Sequence, residues 1–308
     1  MSGEIRLAVT GGTGFVGSHV LEQALAAGLR PQALTRRQIV ADGPQPQWIE
    51  GTLADPAALA RLCAGADVVL HIAGAVNVPS WAQFAAANIA GTQAVVDAAQ
   101  AAGVRRFVHV SSLAAREPGL SDYGWSKAGA EDVVRASTLN WTIIRPPAVY
   151  GPGDADMFEM FRSARWGVLP VPPHGNASII HVDDLARLLL LACVEGNAAW
   201  SKSVFEPDDG RAGGWPHGEL ATAIGAAMGR RVWTPALPGA VLTAAARLDR
   251  LVRGDKARLT PDRARYMLHD DWASHSAYAV PAHLWSARIA TSVGLAQTAA
   301  WYRSKQWF

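Results

Sequence analysis

The chain is short of cysteine, of lysine and of long apolar runs, and each shortage narrows what it can be. Two cysteines in 308 residues, Cys63 and Cys193, cannot build a disulfide framework. Both lie among alanines and leucines, so two buried thiols in a reducing, cytoplasmic compartment are expected. The longest aliphatic run, LARLLLLACV, is about half of a membrane span. The N-terminal MSGEIRLAVTGG is too short in its apolar run for a signal peptide. No membrane partner is expected. Charge of one sign is scarce as well. The net charge is +2 with no run of like charges, which argues against a nucleic-acid partner. No His or Cys spacing fits zinc, and no Gly-x-Ser-x-Gly elbow is present, so neither a metal centre nor a serine hydrolase is expected. Lysine is the oddest shortage. Lys127 is the only one in the first 201 residues, where every other cationic side chain is arginine.

Half of the residues are hydrophobic, enough for one large domain or two smaller ones. The apolar run IRLAVT (Ile5 to Thr10) suits a strand buried on both faces. GGTGFVG follows, and SHVLEQALAAG after it has the apolar spacing of one helix face. In a strand–turn–helix of this kind Gly11 permits the tight bend, Gly14 lets the backbone approach a pyrophosphate, and Gly17 allows close helix packing. The helix N-terminus supplies free N–H groups and a positive dipole end. Thr13, Phe15 and Val16 share that loop. An NAD-binding unit carries an acid about 20 residues past the glycines. Here that place holds Thr35, Arg36 and Arg37, with no acid until Asp42. An arginine fork suits a 2′-phosphate, so NADP(H) is expected over NAD(H).

Strand and helix patterns keep alternating through WIEGTL, DPAALARLCAG, DVVLHIAG, AANIAGTQAVVDAAQAAG, RRFVHVSS and WTIIRPPAVYGP. Asp55 is the expected N-cap of the second helix, with Pro56 at its first position. Repeated β–α units imply an α/β fold, a Rossmann-type doubly wound parallel sheet with ligands beyond the carboxyl ends of its strands. The expected division is a dinucleotide-binding domain of residues 1–150 plus 176–196. Residues 151–175 plus 197–308 would form a smaller, mostly helical C-terminal substrate domain. Met157, Phe158, Phe161, Trp166 and Trp215 are its candidate pocket walls. His181, Asp183 and Asp184 could suggest a metal site, but the two aspartates are read as caps of the helix LARLLLLACV instead.

The stretch SDYGWSK places Tyr123 and Lys127 four apart, on one face of a helix. With five tyrosines and four lysines, chance alone gives such a pair with a probability of about 0.06, so the pattern needs support. The support is the ordered set TGGTGFVG, GTLADPAAL, HIAG, NIAGT, FVHVSS, YGWSK, RPPAVYGPGD and SIIHVDDLA. Over roughly residues 5 to 192 the chain resembles the extended short-chain dehydrogenase/reductases, within the NAD-dependent epimerase/dehydratase superfamily. It looks most similar to the dihydroflavonol-reductase and 3β-hydroxysteroid-dehydrogenase-like branch. The resemblance implies Ser112, Tyr123 and Lys127 as catalytic residues, with Tyr123 and Lys127 also on the cofactor. It implies cofactor contacts at the glycine loop, Arg36, Arg37, Thr52, Leu53, Ala73, Gly74, Asn88 and Pro146. Thr52 stands where the family often has an acid, and Ala148 where nucleotide-sugar members carry asparagine, which argues against a sugar-diphosphate substrate. A homodimer is a family-level expectation.

Free tyrosine titrates near pH 10, and a nearby ammonium favours its phenolate. The expected activity is reduction of a ketone or aldehyde on a small or medium apolar substrate, with Tyr123 as proton donor, Ser112 orienting the oxygen and Lys127 tuning Tyr123 and holding ribose hydroxyls. The alternatives are an epimerase or dehydratase, and a non-catalytic NADPH-binding structural or regulatory protein.

Overall fold

The structure is a computed structural model that describes residues 5–39, 43–254 and 261–308. Asp42, residues 1–4 of the expected first domain, and residues 259 and 260 of the tail lie outside the described residues.

The elements follow in chain order. They begin with β1 (Leu7–Thr10), α1 (Phe15–Ala26), β2 (Gln32–Thr35), β3 (Gln47–Glu50), α2 (Pro56–Cys63), β4 (Val68–His71), α3 (Trp81–Phe84), α4 (Gly91–Ala101), β5 (Arg106–Val110), α5 (Asp122–Ala136) and β6 (Asn140–Ile144). Then come β7 (Ala148–Tyr150), α6 (Phe158–Arg165), β8 (Asn176–Ala177), β9 (Ile179–His181), α7 (Val182–Val194), β10 (Ser203–Phe205) and β11 (Trp215–Pro216). The chain closes with α8 (His217–Ala227), α9 (Gly239–Arg253), α10 (Pro261–Met267), β12 (Asp271–Trp272) and α11 (Thr291–Ser304).

Two compact units are present: Met1–Arg145 with Leu185–Phe205, and Pro146–Asp184 with Glu206–Phe308. The expected boundaries, 150, 175 and 196, differ from these by several residues. One reason is β10, which the sequence reading did not detect. Its three residues pair in parallel with β6 and join the first unit.

The first unit is a seven-stranded, all-parallel sheet in the order β10, β6, β5, β4, β1, β2, β3. The order steps outward in both directions from β1, the doubly wound arrangement of a Rossmann-type fold. The central strands LAVT and VVLH are buried at every position, as helices on both faces require. Leu59, Leu62, Val95, Phe107 and Ile143 lie in one core cluster, each contributing about 2 kcal/mol of burial free energy. Asp55 caps α2 as expected, accepting from the Ala58 N–H at 3.0 Å with Pro56 behind it.

The segment expected as one helix over AANIAGTQ is interrupted. Residues Ala85–Ala90 form a π-helical stretch between α3 and α4, and Asn88 sits in it. Wide turns of this kind are rare and aim a side chain that a regular helix would turn away.

The second unit holds the short sheets β7–β9 and β11–β8–β12 among helices α6, α8, α9, α10 and α11. Its core joins Tyr150, Phe161, Ile179, Leu220, Leu295 and Tyr302. Of the candidate pocket walls, Met157 and Phe161 belong to that core, Phe158 and Trp215 pack against it, and Trp166 is exposed. Asp183 and Asp184 fall in the first turn of α7 rather than before it, and the side chain that accepts a first-turn N–H is that of His181, from Asp183 at 3.2 Å. Asp184 also accepts the backbone N–H groups of Arg288 and Ile289, tying down the segment before α11. Both cysteines are buried and free. Burial pushes their thiols up, to about 11 for Cys63 and about 12 for Cys193.

Candidate active site

Because the large sheet is all parallel, the carboxyl ends of β1 to β5 lie along one edge. The glycine loop, Arg36 and Arg37, Thr52 and Leu53, Ala73 and Gly74, and Ser112 each follow one of these strand ends, and Lys127 reaches the last of them at Val110. Pro146, which follows β6, is buried and opens the second unit.

The glycine loop follows from what a side chain would strike. Gly11 has φ +77°, and a Cβ on it would sit 2.6 Å from the Ala73 nitrogen. A Cβ on Gly17 would sit 2.1 Å from the Gly11 carbonyl oxygen. These two positions accept only glycine, and they press α1 onto the end of β1. Gly14 is the N-cap of α1, with no side-chain cap and no acid in the first turn. Thr13 and Gly14 are exposed, and Phe15 and Val16 half-buried. The first-turn N–H groups are thus offered outward beside bare backbone, which fits a pyrophosphate. The cradle that a Cβ would fill is the observation that fits a dinucleotide cofactor here.

At the end of β2, Thr35 is buried, and its hydroxyl both donates to the Arg37 carbonyl and accepts from the Arg37 N–H. That turn leaves the Arg36 and Arg37 side chains exposed. Past β3, Thr52 is exposed and its hydroxyl accepts from the Ala54 N–H, while Leu53 is half-buried against the core. Past β4, a Cβ on Gly74 would lie 3.0 Å from Asn88 Oδ1, a tight approach, and 3.8 Å from Lys127 Nζ, an ordinary contact. Asn88 is 2% exposed. Its Oδ1 accepts from the Ala75 N–H, and its Nδ2 donates to the Ala75 carbonyl and to Ser126 Oγ. Asn88 therefore joins the loop after β4 to the helix that bears Tyr123. The sequence reading did not single out Ser126, although it lies inside SDYGWSK.

Ser121 caps α5 through the Gly124 N–H, which starts the helix one residue before Tyr123. Tyr123 is half-buried, with its ring 6.0 Å from that of Phe84. One turn on, Lys127 is 5% exposed and donates from Nζ to the Val110 carbonyl at 2.7 Å. Burial lowers its pKa from the ordinary 10.5 to about 8, against the opposing pull of the Glu131 carboxylate. Ser112, two residues past β5, accepts the Ala114 N–H at 3.2 Å and so starts a short 3₁₀ turn over Leu113–Arg116. That bond uses its oxygen lone pair and leaves its O–H to donate.

Two buried clusters escaped the sequence reading. Glu131, fully buried, accepts from Ser111 Oγ at 2.5 Å, from Arg145 at 2.8 and 2.7 Å, and from Arg135 at 2.6 Å. Burial alone would raise its carboxyl. The Arg145 hydrogen bonds and charge, the Ser111 hydroxyl and the Arg135 charge outweigh that and hold it below the ordinary range. Beneath the site, His71 bonds to Thr10 Oγ1 at 2.6 Å and Thr92 Oγ1 at 3.0 Å, and stacks on His109 at 5.4 Å. Burial first, and the Lys127 charge second, lower both imidazoles, His71 to about 3. Both are neutral at physiological pH. The i, i+4 spacing of Glu131 and Arg135 was a visible signal for part of the first cluster. Nothing local pointed to Arg145.

Comparison with known proteins agrees with this geometry. A family model described as NAD(P)H-binding matches residues 11–164. The ceramide reductase of Caulobacter vibrioides is 36% identical, across 98% of this chain and 95% of the relative. Among solved structures, MoeE5 in complex with UDP-glucose and NAD has a TM-score of 0.74 at 23% identity, covering 98% of this chain and 99% of that one. The human epimerase family protein SDR39U1 (isoform 2) with NADPH has a TM-score of 0.72 at 21% identity, covering 96% and 99%. The NAD(P)H-binding match and the reductase relative make this an NAD(P)-dependent oxidoreductase. The chain belongs to the NAD(P)H-binding family and, within it, to the extended short-chain dehydrogenase/reductases of the epimerase/dehydratase superfamily.

Proposed function

We propose that this protein is an NADPH-dependent reductase of a ketone on a long-chain, apolar substrate, with Tyr123 as proton donor. The observation that carries the reading is Lys127. It is a buried ammonium beside Gly74 and Asn88, one helical turn from Tyr123 and bonded to the strand that leads to Ser112. When bound, the reduced nicotinamide cofactor supplies a hydride to the carbonyl carbon. Gly11, Gly14 and Gly17 hold its pyrophosphate against the N-terminus of α1, and Arg36, with Arg37, pairs with the 2′-phosphate. Thr52, Leu53 and Ala73 line its course, and Asn88 acts by fixing the loop at Ala75. Lys127 has three N–H donors and spends one on Val110, which leaves two for ribose hydroxyls. Its charge favours the phenolate form of Tyr123, bringing proton transfer toward neutral pH. Tyr123 gives its proton to the nascent alkoxide while the Ser112 O–H holds the same oxygen. Substrate recognition is assigned to the second unit. The substrate class is supported by the ceramide reductase relative, and Ala148 speaks against sugar-diphosphate substrates.

The test is Tyr123→Phe, assayed for NADPH binding and for NADPH oxidation with a panel of long-chain ketones, including 3-ketoceramide. Turnover should fall by roughly 100-fold or more while binding is kept. A variant that turns over like the parent would sink the role of Tyr123. A parent that oxidises no NADPH across the panel would sink the reductase reading.

A further inference from the structure

Helix α9 has two apolar faces. One is inward, through Leu242 and Ala246, which are 7% and 0% exposed. The other is open to solvent. Val241, Leu248, Leu251 and Val252 are 49%, 61%, 82% and 73% exposed, and Ala244 and Ala245 are exposed with them. At about 100° per residue these six positions fill one arc of roughly 120°. No polar residue interrupts the arc. Isolated exposed leucines need no explanation, but a continuous stripe does.

The charge of the helix says what the stripe would meet. By sequence the fifteen residues of the helix contain three arginines and one acid, Asp249, a formal +2, and Arg247 is exposed along one edge of the stripe. Asp249 is itself engaged by Arg253 at 3.3 Å. The same unit exposes Trp166 and Trp233, at 78% and 69%. The Trp233 N–H donates to the Gly167 carbonyl at 2.9 Å, so the segments bearing the two indoles run side by side. Arg165, Arg230 and Arg303 line one open cavity in this unit, and among the described residues no acid is paired with them. The stripe and its helix's arginines carry the argument, and the exposed tryptophans and arginines elsewhere in the unit share the composition of surfaces that lie in a lipid headgroup region. A second copy of the chain fits less well. A fifteen-residue helix is about 22 Å long, and one narrow stripe on it falls well short of the roughly 800 Å² per partner of a stable interface.

We propose that this protein binds the surface of anionic phospholipid bilayers, with α9 lying in the plane of the membrane and its Val241–Val252 stripe at the headgroup–acyl boundary. This revises the expectation of no membrane partner, which rested on spanning and leader segments alone. Among the described residues no helix is long and apolar enough to cross a membrane, and a surface helix does not need to be. The inference stands apart from the reductase reading, because lipid binding is measured without turnover.

The experiment is co-sedimentation of the full chain with large vesicles of phosphatidylcholine alone, or of phosphatidylcholine and phosphatidylglycerol in equal parts. Wild type should bind the mixed vesicles, bind the neutral ones far less, and be released by high salt. Leu248→Glu/Leu251→Glu should lower the partition roughly 100-fold, since it replaces apolar insertion by charge repulsion. The two side chains face solvent, so the variant should keep the parent's thermal midpoint and NADPH affinity. Three outcomes overturn the proposal. Wild type fails to bind the mixed vesicles; the folded double variant binds them as well as the parent; or the double variant turns a dimer into a monomer by light scattering while neither protein binds lipid, which would make the stripe an interface between copies.

Discussion

Replacing Lys127 with methionine should make the protein more stable and much less active. The side chain is 5% exposed, and burial moves its pKa from 10.5 to about 8. At neutral pH it is protonated in both the folded and the unfolded chain, so the folded state carries the full cost of that shift. Two and a half units at about 1.4 kcal/mol each come to about 3 kcal/mol. Methionine keeps the stem and removes the charge. It also leaves the Val110 carbonyl without its ammonium donor, a loss of about 1 kcal/mol. The net expectation is a gain of about 2 kcal/mol, read by urea unfolding at neutral pH with tryptophan fluorescence. The pH dependence is a second reading of the same term. Between about 8 and 10.5 the unfolded chain still holds a proton that the folded chain has released. Wild-type stability should therefore rise with pH across that window, and Lys127→Met should lack the rise. A variant that is less stable than the parent at neutral pH, or that keeps the same alkaline rise, would refute the reasoning. Lost turnover in a stabilised protein is the expected mark of a charge held for function.

Gly17→Ala puts a Cβ 2.1 Å from the Gly11 carbonyl oxygen and should push α1 off the loop. It should cost about 1–3 kcal/mol and weaken NADPH binding, and an unchanged calorimetric affinity would reject the cradle. Arg36→Ala should weaken NADPH by roughly 10–100-fold and leave NADH nearly untouched, with equal weakening of both counting against a 2′-phosphate contact. Glu131→Gln removes the buried carboxylate that Arg145 and Arg135 share, while Arg135 keeps Asp132 at 3.3 Å, and should cost about 3 kcal/mol in a denaturant titration. Because the folded Glu131 carboxyl is held below its ordinary 4.5, its contribution is complete above that pH and drains away as the pH falls further. The variant should lose that part of the acid sensitivity.

What was legible in the sequence was local or conspicuous. The glycine loop could be read because its requirement, no Cβ against bare backbone, is met within seven residues. The Asp55 and Pro56 start of α2 is a short-range signal of the same kind. β10 was not legible, since three residues after an irregular stretch have no period of their own. They become a strand only because β6 offers an edge. The Glu131 cluster draws on Ser111, Arg135 and Arg145 from a strand end, a helix and the end of another strand. Beyond the i, i+4 spacing of Glu131 and Arg135, no spacing rule reaches Ser111 or Arg145. Asn88 was read through resemblance as a residue of the nicotinamide half. Its bonds to Ala75 and Ser126, made from the π-helical stretch, are long-range and could not be read from the sequence.

The lysine that stood out in an arginine-rich sequence has a physical reason to be there. A guanidinium carries five N–H donors in a fixed plane and stays charged below about pH 12. At position 127 the bond formed within the protein is to one carbonyl, from a side chain 5% exposed, above two neutral imidazoles that offer no counter-charge. Most of an arginine's donors would be stranded there. An ammonium has three, can turn them, and can release its proton near pH 8. Where the chain needs a charge that stays fixed, as on Glu131, it uses Arg135 and Arg145. Where it needs a compact charge that several oxygens can share beside Tyr123, only lysine meets the geometry.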